Sequence, residues 1–187
     1  RRIPLFHPDF PFVILWSQKA ACTSVAKWFF LQIGLLTDDL CTAGVAIHYF
    51  EHRVFKRRPN YLEDVAAAIK AGRPVVKFVR DPYARAYSSY LETCGKAAVT
   101  TPRFWGAKVR KQILQDLVGA SEDEATVAAE YSYSFGQYLQ WVAKQDLTKI
   151  NNHIAPQFLA RDRLFDIRIA KVESLNQQFD ALEREFN

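Results

Sequence analysis

The sequence contains no methionine and few cysteines. Its three cysteines, Cys22, Cys41 and Cys94, are widely separated and form no CxxC pair. This pattern predicts neither a disulfide framework nor a zinc site, and it fits a reducing compartment best. The missing methionine indicates a trimmed sequence, so spacings within short motifs are a better guide than spacings between motifs.

Long apolar runs and a strong charge of one sign are also missing. No apolar stretch approaches the roughly 20 residues of a membrane helix, so no membrane span is expected. Apolar residues 10–16 lack a signal-peptide cleavage site and are interpreted as a strand. The net charge of +5 suits binding of nucleic acid, an anionic nucleotide or an acidic glycan.

The hydrophobic content of 49% excludes disorder, and the length of 187 residues predicts a single domain over residues 1–187.

Strands and helices are predicted to alternate along the chain. Apolar runs predict strands at residues 12–16, 43–48, 75–79 and 165–172. Helical patterns follow from residues 23, 60, 82 and 174, and also cover residues 102–144, where positions 135, 138, 139 and 142 form an apolar stripe. Side-chain caps are predicted for Asn60 with Glu63, Ser121 with Glu124, and Ser174 with Gln177. Such alternation favours an α/β fold with a parallel sheet covered by helices.

Two strand–helix junctions carry residues suited to anions. In open parallel sheets, ligands bind where a strand ends and the next helix begins, because free N–H groups and the helix dipole lie there. Residues 17–24 read Ser-Gln-Lys-Ala-Ala-Cys-Thr-Ser, which combines small side chains with the cation of Lys19 and two hydroxyl groups. The second junction has Arg80 at a strand end and Ser88 about a turn and a half into the next helix. Both can face one anion.

The first junction resembles the phosphosulfate loop of sulfotransferases. A nucleoside-triphosphate loop would read GxxxxGK[ST], whereas here the lysine precedes the turn and both glycines are absent. Lys-Ala-Ala-Cys-Thr-Ser is similar to the Lys-x-Ala-Cys-Thr loop of chondroitin-type carbohydrate sulfotransferases. Residues 79–90 resemble their 3′-phosphate motif. Residues 152–157 and 171–175 resemble their late His-x-x-Pro-Gln and Lys-x-Glu-x-Leu segments.

This resemblance implies a three-layer α/β sandwich like that of P-loop nucleoside triphosphatases. It also implies metal-free sulfuryl transfer from 3′-phosphoadenosine-5′-phosphosulfate (PAPS) to a hydroxyl group of an acceptor. The same resemblance implies that this acceptor is a carbohydrate. Lys19 would contact the oxygen that bridges sulfate and 5′-phosphate, and Arg80 with Ser88 would hold the 3′-phosphate. The implied donor-binding residues are Lys19, Ala20, Ala21, Cys22, Thr23, Ser24, Arg80 and Ser88.

The sequence departs from the animal enzymes at one place. Those enzymes carry a cysteine pair between the two late segments, whereas no cysteine lies between Gln157 and Lys171. The departure favours a cytoplasmic, bacterial relative over a lumenal catalytic domain of the secretory pathway.

Histidine is the usual general base near neutral pH, and His48 is preferred because it is predicted at the end of a strand. A purely structural His48 is an equal alternative. His52, Arg53 and His153 are candidates for acceptor binding. His48 and His52 form an HxxxH pair without the glutamate of HExxH, so no metal is predicted.

Other functions compete with this interpretation. A nucleotide kinase or related nucleoside triphosphatase would share the architecture but would need magnesium. A non-catalytic nucleotide-binding or nucleic-acid-binding module would bind the donor without turnover; nucleic acid is not the expected partner. Arg85 and Ser89 fit binding and packing roles equally well. Lipid, small-molecule and protein acceptors stay open, and so does the oligomeric state.

Overall fold

A computed structural model describes residues 3–42, 44–119 and 132–186. The chain divides into two units, the first formed by Arg1–Asp81 with Gln157–Asn187 and the second by Pro82–Pro156. In chain order, the described helices are α1 Cys22–Gln32, α2 Asp38–Thr42, α3 Gly44–Tyr49, α4 Tyr61–Lys70, α5 Pro82–Cys94, α6 Lys96–Thr100, α7 Trp105–Val118, α8 Phe135–Ala143 and α9 Leu175–Phe186. The predicted cap at Ser121 and Glu124 lies outside the described residues.

A parallel sheet forms the centre of the first unit. Its described strands are β1 Val13–Leu15, β2 Val75–Val79 and β3 Ile167–Lys171, hydrogen-bonded in the order β1-β2-β3. Because all three run in the same direction, their carboxyl ends lie at one edge, where the predicted ligand-binding junctions begin. The predicted α/β class with a parallel sheet flanked by helices is confirmed.

Aromatic side chains fill the core between this sheet and its helices. Phe12, Phe29 and Phe30 are fully buried, and the indole of Trp28 stacks on Phe179 of α9 with ring centroids 4.4 Å apart. Burial of such a side chain contributes about 1.5–3 kcal/mol. This packing fixes α1 and α9 against the sheet and so fixes where α1 begins.

The strand predicted at residues 43–48 is wrong, because the described part of that segment is helix α3. A short apolar run does not distinguish a strand from a buried helix. Here Ile47 and Glu51 are four residues apart and both fully buried, which is the spacing of one helix face. A π-helical turn over Phe50–Val54 and a 3₁₀ turn over Phe55–Arg57 continue directly from α3.

Two of the predicted caps differ in the structure. Asn60 precedes α4 in a left-handed conformation, with φ of 58°, and its side chain makes no cap hydrogen bond. Ser174 accepts a hydrogen bond from Gln178, at 3.3 Å, in place of the predicted Gln177. In both cases the helix itself is where the sequence predicts it.

The second unit is helical and has its own core. Val109, Ile113 and Leu114 of α7 pack with Tyr138 and Trp141 of α8. The predicted apolar stripe on α8 is therefore partly wrong, since Leu139 is 36% exposed. A capping box that the sequence reading missed joins Ser134 to Gln137 at the start of α8. Within the described residues, no helix has both the length and the apolar character needed to cross a membrane.

Candidate donor and catalytic site

The loop between β1 and α1 has an unusual backbone. Lys19 and Ala21 adopt left-handed conformations, with φ of 65° and 51°. Non-glycine residues rarely do so, and each costs on the order of 1–2 kcal/mol. The loop is nevertheless well anchored, because Ser17 and Ala20 are fully buried and the Ala20 N–H donates to the Ser17 carbonyl at 3.1 Å. Strain kept in this way is typical of binding sites.

This loop leads into the N-terminus of α1, where no described acidic side chain would compete with a bound anion. Ala21 is the N-cap residue and has no polar side-chain group, and the described first turn of α1 contains no acidic residue. The N-terminus of a helix attracts anions through its N–H groups and dipole. With Lys19 before the turn and two hydroxyl groups after it, the segment suits a phosphate or a sulfate.

Arg80 brings the second junction to the first. It follows β2 directly, and its Nη1 donates to the Lys19 carbonyl at 3.3 Å. The Arg80 side chain therefore reaches the backbone of Lys19 at the carboxyl edge of the sheet.

Gln157 holds Arg80 in place through both ends of its amide. Its Oε1 accepts from the Arg80 N–H at 2.9 Å, and its Nε2 donates to the Arg80 carbonyl at 2.7 Å. The same Oε1 accepts from the Ser17 hydroxyl at 3.5 Å. Gln157 belongs to the late His-x-x-Pro-Gln segment, but no role was predicted for it from the sequence.

Ser88 lies on α5, in the second unit, so its pairing with Arg80 stays a prediction. Within that unit, Arg85 and Ser89 are buried and donate to the His153 carbonyl at 3.3 and 2.7 Å. The His153 ring stacks on Trp105 with centroids 4.1 Å apart. These contacts give Arg85 and Ser89 a structural role in holding residues 152–153.

His48 lies beside the start of α1, next to the loop between β1 and α1. Its Nε2 is 3.1 Å from the Thr23 hydroxyl and 3.6 Å from the Cys22 sulfur, while its Nδ1 is 3.0 Å from Glu51 Oε2. The prediction placed His48 at a strand end, which is wrong, but α3 brings it to Cys22 and Thr23 at the start of α1.

A buried carboxylate and ammonium stand behind His48. Glu51 is fully buried, and its Oε1 accepts from Lys56 Nζ at 2.5 Å. Lys56 is also buried and donates to the Ile3 carbonyl at 2.6 Å. The other carboxylate oxygen of Glu51, Oε2, faces His48 and lies 3.9 Å from His52 Nε2. Glu51 and Lys56 were not predicted as site residues, because their pairing behind His48 follows from a π-helical turn that the sequence pattern does not reveal.

The cluster separates the protonation behaviour of its two imidazoles. Hydrogen bonds to the Cys22 sulfur and then to Glu51 outweigh burial and raise the pKa of His48 from 6.5 to about 9. Burial lowers the pKa of His52, and the nearby Glu51 only partly opposes this. Burial would raise the pKa of Glu51, but His48 and Lys56 together lower it, so the carboxylate stays ionised.

The same cluster has the spacing of a metal site. The ligand atoms of His48, Glu51 and His52 all lie within 4.8 Å of one another. The Lys56 ammonium, however, contacts the same carboxylate at 2.5 Å. A cation already neutralises Glu51, and it would repel a divalent ion. This arrangement suits proton transfer better than metal binding.

These features define an α/β fold whose parallel sheet has Lys19 and Arg80 at its carboxyl edge. The sequence matches the model of the sulfotransferase family over residues 5–187, and the chain belongs to that family. Searches of curated proteins and of solved structures return no significant match. The protein is therefore a sulfotransferase by family, and sulfuryl transfer from a sulfate donor is its class of reaction.

Proposed function

We propose that the protein transfers a sulfuryl group from PAPS to a hydroxyl group of an acceptor, within a single nucleotide-binding α/β domain. The observation that carries this proposal is the contact of Arg80 with the strained loop at Lys19. The Arg80 guanidinium bonds the backbone of Lys19, so two basic residues from neighbouring junctions are adjacent there, and PAPS carries anionic groups at both its 5′ and 3′ positions.

The donor groups are divided between the two junctions in this proposal. The backbone of residues 20–24 and the hydroxyl groups of Thr23 and Ser24 bind the 5′-phosphate, and the small side chains of Ala20 and Ala21 allow close approach. Arg80 and Ser88 bind the 3′-phosphate, since arginine forms strong charge-assisted hydrogen bonds with phosphate. The donor supplies an activated sulfur, and the protein supplies position and charge.

Lys19 and His48 act on the transfer itself. A bond forms between the acceptor oxygen and sulfur while the bond from sulfur to the bridging phosphate oxygen breaks. Lys19 stabilises the negative charge that develops on that bridging oxygen. His48 Nε2 takes the proton of the acceptor hydroxyl, so the products are a sulfate ester, 3′-phosphoadenosine-5′-phosphate and an imidazolium at His48.

The acceptor is proposed to be a carbohydrate or another molecule with a free hydroxyl group. The imidazole of His52 is 42% exposed beside His48, and the neighbouring Arg53 is also exposed, so both can contact an acceptor that reaches His48. His153, in the second unit, is a further acceptor-binding candidate. The cysteines are unpaired in the described structure, which supports a cytoplasmic location.

Titration calorimetry tests the donor class. We expect 3′-phosphoadenosine-5′-phosphate to bind in the presence of a chelator, at least about tenfold more tightly than adenosine monophosphate or ATP, since each charged hydrogen bond contributes about 1.5–3 kcal/mol. Tighter binding of ATP that depends on magnesium would instead indicate a kinase or nucleoside triphosphatase. Donor binding without sulfation of any hydroxyl acceptor would indicate a non-catalytic module.

A further inference from the structure

Glu51 is the one buried carboxylate of the His48 cluster, and the proposed transfer assigns it no step. Both of its oxygens have partners, Lys56 on Oε1 and His48 on Oε2. Replacing a buried ion pair with apolar residues is often neutral or stabilising, so stability alone is a weak reason for such a pair. The arrangement therefore calls for a role in the site.

The backbone that builds this cluster is specific to it. Helix α3 ends at Tyr49 and the π-helical turn over Phe50–Val54 follows without a break. Such turns are rare and occur frequently at functional sites. The turn places Glu51 three residues after His48 and five before Lys56, with the carboxylate fully buried between the imidazole and the ammonium.

The hydrogen bonds define one orientation of the imidazole. An ionised carboxylate only accepts, so neutral His48 must carry its proton on Nδ1 to bond Glu51 Oε2. Its Nε2 is then unprotonated and carries a lone pair that faces Thr23 and Cys22. The hydroxyl or the thiol of these residues can donate to it. A proton acceptor is thus presented to the donor loop.

We propose that Glu51 is a positioning residue for sulfuryl transfer: its carboxylate fixes the Nδ1–H tautomer and the orientation of His48, and Lys56 keeps that carboxylate ionised. The inference rests on the proposed role of His48 as the general base. Removing a carboxylate that orients a catalytic or metal-bound histidine lowers activity by 10-fold to about 10⁴-fold in other systems.

The charged and titratable surroundings of His48 agree with this role. Cys22 and Thr23 face it from α1, and Glu51 and His52 face it from the π-helical turn. The ring centroid of Trp16, which follows β1, lies 6.0 Å from that of His48, and Lys56 contacts Glu51 and lies over the Trp16 ring. The hydrogen bond to the Cys22 sulfur is the largest cause of the raised pKa of His48, and the hydrogen bond to Glu51 is the next. Loss of Glu51 should therefore move the rising limb of the pH–rate profile to lower pH.

The central experiment compares Glu51→Gln with Glu51→Asp. The matched control is Glu63→Gln, at an exposed position of α4. For Glu51→Gln we expect kcat to fall by about 100-fold, KM for PAPS to change less than about threefold, and the rising pH limb to shift downward. Glu51→Asp should recover part of kcat, and Glu63→Gln should match the wild type. Wild-type kcat and an unshifted profile in folded Glu51→Gln would overturn the proposal.

Stability is separated from positioning by a second variant. Glu51→Gln leaves Lys56 buried beside a neutral group, so the double variant Glu51→Gln with Lys56→Met should regain stability but not kcat. Recovery of kcat together with stability would show a merely structural role. In the wild type, nitrogen NMR at high pH should show neutral His48 protonated on Nδ1, and a proton on Nε2 would overturn the proposal whatever the variants do.

Comparison of His48→Gln with Glu51→Gln distinguishes failure of the positioning role from failure of the proposed function. If His48→Gln keeps wild-type kcat, the assignment of His48 as base is wrong and the role of Glu51 falls with it. If His48→Gln is inactive while Glu51→Gln is fully active with an unshifted profile, only the positioning role is wrong. Unchanged binding of 3′-phosphoadenosine-5′-phosphate in both variants confirms that the donor site is intact.

Discussion

Lys19 combines a strained backbone with the charge proposed for the leaving group. Its φ of 65° is natural for glycine and costly for lysine. Lys19→Gly should therefore fold with a melting temperature equal to or above that of the wild type, because relief of about 1–2 kcal/mol of strain offsets the roughly 0.5–1 kcal/mol of extra chain entropy. Turnover should fall by orders of magnitude, because the cation is lost.

Thermal unfolding and sulfation rates of the same samples check this prediction, and Lys19→Ala separates loss of charge from loss of strain. Lys70→Ala, at the exposed end of α4, is the matched control and should behave like the wild type in both assays. Turnover at the wild-type rate in Lys19→Ala would remove Lys19 from the mechanism.

Gln157 offers a second test at a single residue. Its amide makes two hydrogen bonds to the Arg80 backbone, and each contributes about 0.5–1.5 kcal/mol. Gln157→Leu should thus weaken binding of 3′-phosphoadenosine-5′-phosphate by about tenfold and weaken adenosine monophosphate less, because Arg80 is assigned to the 3′-phosphate. Calorimetry with both nucleotides checks it, with exposed Gln177→Leu on α9 as control. Equal losses for the two nucleotides would contradict the assignment of Arg80.

The proximity of Lys19 and Arg80 was predictable because short motifs place both residues after strands of the sheet. Lys19 and Arg80 both follow apolar strands, and adjacent parallel strands bring such residues together without any knowledge of the rest of the fold. Gln157 was not predictable, since its value comes from bonds to a backbone 77 residues away in the chain. Glu51 was hidden in the same way, because an acidic residue that precedes the basic residues Arg53 and Lys56 gives no sign of burial.

At the scale of elements, β2 was predicted at its observed bounds and α3 was mistaken for a strand. The sequence Val-Val-Lys-Phe-Val is flanked by Pro74 and the Asp81–Pro82 pair, which limit it on both sides. Residues 43–48 lack such flanking signals, and their apolar run fits either structure. The π-helical turn that follows places Glu51 in the core, where it pairs with Lys56, and the sequence pattern gives no signal for such a turn.

A buried ion pair joins β2 to the 3₁₀ turn over Ala160–Leu164. Lys77 contacts the Asp162 carboxylate, and both side chains are at least 95% buried. Asp162 also accepts from the Leu159 N–H at 2.8 Å. Lys77→Met should lower the free energy of unfolding by about 3–5 kcal/mol, because it removes the ammonium from a buried carboxylate. Denaturant unfolding measures this.

The double variant Lys77→Met with Asp162→Asn should recover much of that loss, since a neutral amide needs no counter-charge. Lys171→Met, on the exposed side of β3, is the control and should change stability by less than about 0.5 kcal/mol. A single variant as stable as the control would show that the pair contributes nothing to holding the turn against the sheet.

At the scale of the whole molecule, folding assembles the His48 cluster from α1, α3 and the turns that follow, so its protonation is linked to stability. The unfolded chain restores the pKa of His48 to about 6.5, whereas the folded state raises it to about 9. A raised folded pKa stabilises the protein fully below the unfolded value, and this contribution is lost as the pH rises through the folded value. The stability that His48 confers should therefore be complete near pH 6 and largely gone above pH 9.

Urea unfolding of the wild type and of His48→Gln between about pH 6 and pH 9.5 checks this linkage. Both proteins contain the same other titrating groups, including His52 with its lowered pKa, so their difference reports His48 together with the groups that it contacts, Cys22 and Glu51. We expect the wild type to lose its advantage steadily over that range, with a slope that approaches one proton per molecule. A difference that stays constant with pH would mean that the folded cluster does not hold His48 as an imidazolium, and the pH dependence proposed for sulfuryl transfer would then need another group.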